Sequence, residues 1–338
     1  MKTTSNYSTE TNRRQFLKSV AVLTAMAYLP SCSSKNTEAD QWGEILPTRK
    51  LGKTGLDVTM FCIGGGPSDY SVENEESILE TALEGGCRFF ETARSYGRGK
   101  SEEAFGNVLA PYRNEIVLSS KSRGLDVESV MRELDESLEA LKTSYLDIYM
   151  MHNMASIEDA DSRINNGIYE ALLRAKEEGK IKHIGFSGHT HYEINNYLLD
   201  MDLPDLEVML LPINAIDPAY NSFVMNTLPK AVEKNTGVIA MKPIGGGGMT
   251  GQTIAWGRGR GNSRERVIPN VISMKDAQHY VYSMPVASAT YGCTTTGHVT
   301  EDIELAKSFI KMSNDEQTAL IEKVASMNQN GILEHYKS

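Results

Sequence analysis

Four residues of this chain bring together the groups that a proton-transfer reaction needs: Glu91, Tyr96, Lys121 and His152. A phenol with an ordinary pKa of ~10 is a poor acid or base near neutrality. An ammonium close by stabilises the phenolate and lowers that value. A carboxylate behind the lysine keeps it charged and oriented, and an imidazole can hydrogen-bond a carbonyl oxygen. The set suits proton transfer coupled to reduction of a carbonyl held against a hydride donor. Each residue alone has a plainer reading. A histidine at a strand end is most often structural, a lysine there is usually solvated, and a tyrosine before Gly97 can simply begin a loop. Convergence on one face is what gives them weight.

Convergence requires a scaffold, and the chain alternates short β-rich runs with helix-period segments. Strands are predicted at Thr59–Gly64, Arg88–Ala93, Glu115–Lys121, Tyr145–His152, His183–Ser187, Glu207–Asn214, Gly237–Lys242 and Ala289–Thr294. A hairpin precedes them, with Arg49–Gly52 and Gly55–Val58 around a glycine turn. The clearest helical patterns are Val127–Lys142 and Gly167–Lys180, and another, Asp315–Gln329, closes the chain. Eight strand–helix units in about 290 residues predict an α/β fold of the (β/α)8 TIM-barrel type. The alternative is a doubly wound sheet. It is disfavoured because Gly64-Gly65-Gly66 runs into Pro67 instead of forming G-x-G-x-x-G. In a barrel, chemistry sits at the C-terminal strand ends. Glu91, Lys121 and His152 lie at the ends of strands two, three and four, with Tyr96 five residues after Glu91. The segment Gly245–Pro269 is long and irregular, with four consecutive glycines followed by Arg258, Arg260, Arg264 and Arg266. It reads as a functional or a disordered loop.

Composition bounds the remaining possibilities. The 338 residues are 40% hydrophobic and 23% charged, which excludes a mostly disordered chain. No apolar run reaches the ~18–20 residues of a membrane span. The net charge is −10. An acidic body repels nucleic acid and anionic lipid, so no nucleic-acid partner is expected. Cys32, Cys62, Cys87 and Cys293 are widely spaced, forming neither a metal motif nor a disulfide framework.

The N-terminus has its own logic. Arg13-Arg14-Gln15-Phe16-Leu17-Lys18 precedes an apolar run from Val20 to Leu29, too short to span a bilayer. The string resembles the twin-arginine export signal, whose pathway carries folded proteins; a basic amphipathic tail is the other reading. Ala25-Met26-Ala27 fits a cleavage site for soluble release. Leu29-Pro30-Ser31-Cys32 resembles a lipobox, which would make Cys32 a lipid anchor and Ser33 to Gln41 a tether. Residues 1–41 are therefore read as address and tether, and 42–338 as the barrel. The address predicts contact with the export machinery and a place in the periplasm or cell envelope.

Five strings taken in order resemble the aldo/keto reductase superfamily. They are Phe90 to Gly97 with Ser101-Glu102-Glu103, Leu118 to Lys121, Tyr145 to His152, Ile184 to Ser187, and Gly292 through Ile303. The resemblance runs from about Arg49 to Met312. It implies a (β/α)8 barrel that binds NAD(P)H extended, and an Asp-Tyr-Lys-His tetrad represented here by Glu91, Tyr96, Lys121 and His152. It implies an oxidoreductase interconverting a carbonyl (aldehyde, ketone or sugar) and its alcohol, with Tyr96 as general acid/base. Cofactor contacts carry over to Gly66, Ser187, Met241, Lys242, Gly245, Gly246, His298, Glu301 and Asp302.

Several departures qualify this. Glu91 replaces Asp, one methylene longer. The usual Ser-Asn after strand five is Ser187-Gly188-His189, so one amide partner is missing. Met241 stands where many members stack an aromatic on the nicotinamide, and a thioether can also pack on a ring. Lys242 and the glycines after it suit a pyrophosphate, though the run can also be read as a hinge. Gly292 to His298 holds no Lys or Arg for a 2′-phosphate, which favours NAD over NADP unless the arginine-rich loop takes that role. An exported enzyme meets no replenished pool of reduced cofactor, so a tightly held dinucleotide is expected. The alternative function is an exported barrel that binds a dinucleotide or a glycan with little turnover. Glu91 and Gly188 favour it; Tyr96, Lys121 and His152 favour the enzyme.

Overall fold

The computed structural model describes residues 39–66, 71–250, 268 and 271–337. The export-signal reading, the candidate anchor Cys32 and the arginines of 258–266 lie outside the described residues. Eight parallel strands close into a barrel: β1 Phe61–Gly64, β2 Phe89–Glu91, β3 Val117–Ser122, β4 Leu146–Met151, β5 Ile181–Ser187, β6 Leu206–Pro212, β7 Gly237–Met241 and β8 Ser288–Tyr291. Each strand pairs with the next in sequence, and β8 returns to β1 through Ala289↔Phe61 and Tyr291↔Ile63. The expected eight-unit barrel is the observed one. Thr59 changes role, pairing with Thr48 in the hairpin Thr48–Lys50/Asp57–Thr59 rather than opening β1.

Strand alternation builds two cores. Ile148, Met150, Val208, Leu210, Ile239 and Cys62 point into the barrel, where Leu51 and Val58 of the hairpin join them. The alternate residues Tyr149, Met151, Met209 and Leu211 face the helical layer. The hairpin thus plugs the N-terminal end of the barrel. Gly52 permits this: it has φ 52°, and a Cβ there would collide with the backbone nitrogen of Gly237. Folded structure also begins earlier than the tether boundary suggested. Ala39–Asp40 pairs with Gly43–Glu44, and the Asp40 carboxylate accepts two hydrogen bonds from Arg88, at 2.6 and 2.7 Å.

The helices that matter for the site begin with capped turns. After β3, α1 (Val127–Ala140) opens on a reciprocal cap between Asp126 and Ser129. After β5, α2 (Tyr192–Asp200) packs its Ile194, Leu198 and Leu199 into the outer core. After β8, α3 (Thr296–Lys307) is capped by the Thr295 hydroxyl, which accepts the His298 N–H. The final long helix, α4, spans Asn314–Ala325, shorter than the periodicity predicted, and 3-10 turns return residues 326–337 to the barrel.

Candidate active site

Register brings the predicted tetrad together. Glu91 pairs with Ser119, and Lys121 pairs with Met150 one residue short of the end of β4. His152 follows β4, its N–H bonded to the carbonyl of Ser122 at 2.7 Å. Lys121 and Glu91 are only 1% and 3% exposed and form a direct ion pair. The ammonium also donates to the carbonyl of Thr92 at 2.7 Å and lies 4.7 Å from the centroid of the Tyr96 ring. His152 meets that ring edge-on, centroids 5.6 Å apart.

The longer Glu91 fits for a visible reason. Its partner in register is Gly64, and a Cβ there would lie 3.4 Å from Glu91 Oε2 and collide with the Thr290 hydroxyl. The missing Cβ leaves room for the Thr290 hydroxyl, which donates to Oε2 at 3.3 Å. The carboxylate therefore still reaches Lys121.

Tyr96 is carried by a strained turn. Gly97, Arg98 and Gly99 all have positive φ (57°, 58° and 94°). A buried polar network holds this turn against the barrel. Arg94 donates to Glu102 at 2.8 Å and to Glu136 at 3.0 Å, and Ser120 donates to the other Glu102 oxygen at 2.6 Å. Ser101 donates to Glu75 at 2.7 Å. The Ser101-Glu102 string that follows Tyr96 is thus the anchor of its turn.

Electrostatics are dominated by burial. Desolvation lowers the pKa of Lys121, the Cys62 thiol opposes this, and the charge of Lys242 adds to it. His152 is also pushed well below its usual value, by desolvation first and then by the charges of Lys121, Arg123, His189 and Lys242. It is therefore neutral near pH 7. Its Nδ1 has no hydrogen-bond partner among the described residues.

The remaining predicted contacts spread around the same mouth. Gly66 packs against Tyr96: a Cβ there would approach Cζ of the ring to 3.1 Å. Ser187 ends β5 and braces the β4 loop, accepting the Asn153 N–H at its hydroxyl and the Met154 N–H at its carbonyl, both at 2.8 Å. Met241 is buried at the end of β7, among the barrel-interior residues. Lys242 has φ 56°, and Gly245 and Gly246 continue in the left-handed region at 62° each. The glycine run is a built turn over residues 245–250. On α3, His298 bonds the Thr294 hydroxyl at 3.1 Å and Glu301 is half-buried. Asp302 is fully buried, its carboxylate accepting the Cys293 thiol at 3.4 Å.

Asp302, being fully buried and bonded to Cys293, is a packing residue in this structure and not an open contact for a dinucleotide. The other positions fit an extended dinucleotide. At Gly188, where the family amide is missing, a Cβ would collide with Oδ1 of Asn195 from α2. That oxygen is buried and has no hydrogen-bond partner among the described residues. An amide acceptor therefore occupies the space of the lost side chain.

Residues that sequence reasoning passed over form the opposite wall. Asn214, after β6, donates to the carbonyl of Lys242 at 3.2 Å, to Glu334 at 3.1 Å and to the Tyr336 hydroxyl at 3.0 Å. Lys337 donates to Asp217 at 2.7 Å and to Glu334 and the Tyr220 carbonyl at 2.8 Å. Tyr336 then meets His189 edge-on at 6.0 Å, and Lys242 Nζ lies 5.8 Å from its ring. No periodicity or motif marks Glu334 to Lys337, which end the chain like any polar tail.

The aldo/keto reductase family model matches residues 60–323. The chain belongs to the aldo/keto reductase family. It is similar to L-galactose dehydrogenase of Arabidopsis thaliana, 31% identical over 218 residues, covering 60% of this chain and 67% of that protein. It is also similar to L-glyceraldehyde 3-phosphate reductase of Escherichia coli, 26% identical over 232 residues, covering 60% and 63%. Among solved structures, the holo form of an aldo-keto reductase from Bacillus halodurans superposes with a TM-score of 0.69. At 22% identity it covers 87% of this chain and all of that one, and shares its fold. This aldo/keto reductase is accordingly an NAD(P)-dependent oxidoreductase.

Proposed function

We propose that this enzyme interconverts a carbonyl and its alcohol with Tyr96 as the proton donor and acceptor. The observation that carries the reading is the placement of Tyr96 between the Lys121 ammonium and the His152 ring, with Glu91 behind the lysine. Lys121 stabilises the phenolate, so Tyr96 can release its proton near neutrality. His152, neutral at that pH, offers a ring N–H to the carbonyl oxygen and so orients the substrate. In the reductive direction Tyr96 protonates that oxygen while the adjacent carbon accepts a hydride. A bound NAD(P)H supplies that hydride. Ser187, Met241, Lys242, Gly245, Gly246 and Glu301 would hold it. The absence of Lys or Arg from Gly292 to His298 favours NAD. Comparing Kd for NADH and NADPH tests that preference, and a large NADPH preference overturns it.

The twin arginines support export in the folded state, with release at Ala25-Met26-Ala27 or anchoring through Cys32. Outside the cytoplasm a dissociable cofactor is lost by dilution, so the enzyme would keep its dinucleotide and regenerate it in place. The substrate is a small aldehyde, ketone or sugar, in keeping with relatives named for L-galactose and L-glyceraldehyde 3-phosphate. Replacing Tyr96 by Phe tests the mechanism. Turnover should fall by orders of magnitude with cofactor binding retained, and an unchanged kcat would remove it. Denaturing the envelope-purified protein and quantifying released dinucleotide tests the cofactor claim; an empty site defeats it.

A further inference from the structure

Arg123 occupies a particular place beside the tetrad. It follows Ser122, the last residue of β3, which pairs with Met151 at the end of β4. The next residues of the two strands are Arg123 and His152, so the arginine stands beside the histidine at the separation of neighbouring strands, ~5 Å between backbones. The pairing continues past the strands, because the His152 N–H still bonds the Ser122 carbonyl. Glu133 of α1 then pins the position, accepting the Arg123 N–H at 2.9 Å and the Ser122 hydroxyl at 2.6 Å. The backbone of Arg123 is thus tied to α1 at the strand end.

Its side chain is left to solvent, as are those of Arg98 and Arg174, whereas the arginines that brace the fold are paired. Arg88, Arg94, Arg113 and Arg163 each pair with a carboxylate within 3.0 Å. Arg123 is exposed, and no carboxylate or carbonyl partners its guanidinium among the described residues. The carboxylate closest in the network, Glu133, accepts the Arg123 N–H and the Ser122 hydroxyl at its Oε2 and forms no ion pair with the guanidinium among the described residues. Electrostatic neighbours add to the picture: the Arg123 charge is felt by both His152 and His189, and Lys242 acts on both from the other side. In a chain with net charge −10, the substrate side of this mouth is locally cationic.

We infer that the carbonyl compound handled here bears an anionic group, a carboxylate or a phosphate, which Arg123 receives while His152 and Tyr96 face the reacting oxygen. The inference rests on the carbonyl-reductase reading above and names its substrate class. A guanidinium pairs with either anion through two parallel N–H bonds, gaining affinity and orientation together. Positioning by a charge one strand away from the acid/base group fixes the carbonyl before reaction.

Two matched substrate pairs test this: glyceraldehyde against glyceraldehyde 3-phosphate, and butanal against succinic semialdehyde. The full chain with its cofactor should prefer the charged member of at least one pair in kcat/KM, and which pair does so separates phosphate from carboxylate. Arg123→Met should lower that preference by about ten- to a hundredfold, mainly through KM. Arg123→Lys should keep part of it. A wild-type enzyme indifferent to charge in both pairs, or an R123M enzyme with the preference intact, overturns the inference while leaving the reductase reading standing. If no carbonyl is reduced at all, the reductase reading fails. The anion site is then read by calorimetric titration of succinate and inorganic phosphate. Binding lost in R123M supports the site, and equal or absent binding in both proteins overturns it.

Discussion

Two buried lysines of this barrel face each other in character. Lys121, on β3, touches one carboxylate and one carbonyl, and desolvation leaves its pKa depressed. Lys337, at the chain end, is equally buried, yet it is met by Asp217, Glu334 and the Tyr220 carbonyl. Desolvation pulls it down too, but the two carboxylates outweigh that and its pKa is raised. Glu334 shows the cost on the acidic side, with burial and Asp217 raising its pKa. A buried cation oversupplied with partners is a clasp; one left under tension is a reagent. The clasp holds Tyr336 against His189 and, through Asn214, the Lys242 carbonyl, so the tail closes the wall opposite the tetrad.

The contrast can be broken at either end. Tyr96→Phe should cut kcat by about 10²–10⁴-fold with the melting temperature unchanged, measured by steady-state kinetics and thermal unfolding. Equal losses in both would make Tyr96 structural. Lys337→Met does the reverse, stranding two buried carboxylates at a cost of about 3–5 kcal/mol in urea unfolding. Its surviving folded fraction should show weakened dinucleotide binding more than altered chemistry, because Lys242 loses its support. A fully stable variant would mean that the clasp is incidental.

Acid sensitivity sharpens the comparison. Burial first, and then Lys242, pushes His189 down to about 4. The unfolded chain binds this proton from about pH 6.5 and the folded chain only near 4, so folding stability falls as pH drops through that window. The contribution is about 3 kcal/mol. His189→Gln should flatten the stability curve between pH 6.5 and 4 by that amount, read from denaturation midpoints. An identical slope in both proteins would place the acid response elsewhere. Glu91→Asp has the smallest expected effect. The shorter side chain restores the family residue, and kcat should stay within about tenfold. A collapse of activity would show that Thr290 and Lys121 require the longer arm.

The tetrad was legible because it is local in the logic of the barrel. Parallel strands that follow one another become neighbours, so residues at the ends of strands two, three and four must meet. Glu91, Lys121 and His152 could be placed before any contact was known, and Tyr96 followed from its spacing. Some boundaries were less visible: Thr59 went to the hairpin, and folded structure reaches back to Ala39, because an edge pairing and one Asp40–Arg88 contact leave no periodic trace.

The opposite wall was not legible at all. Asp217 and Lys337 are 120 residues apart, and no period, cap or motif joins a turn after β6 to the end of the chain. The amide of Asn195 filling the space beside Gly188 is likewise a fact of helix packing, invisible in a string where Gly188 is only a departure. The sequence by itself determined the alternation of strands and helices, hence the barrel, and with it the order in which reactive groups reach the mouth. Only the tertiary structure decided which buried charges are clasped and which are left available. That depends on how many partners desolvation brings within hydrogen-bonding reach, which a linear pattern does not encode.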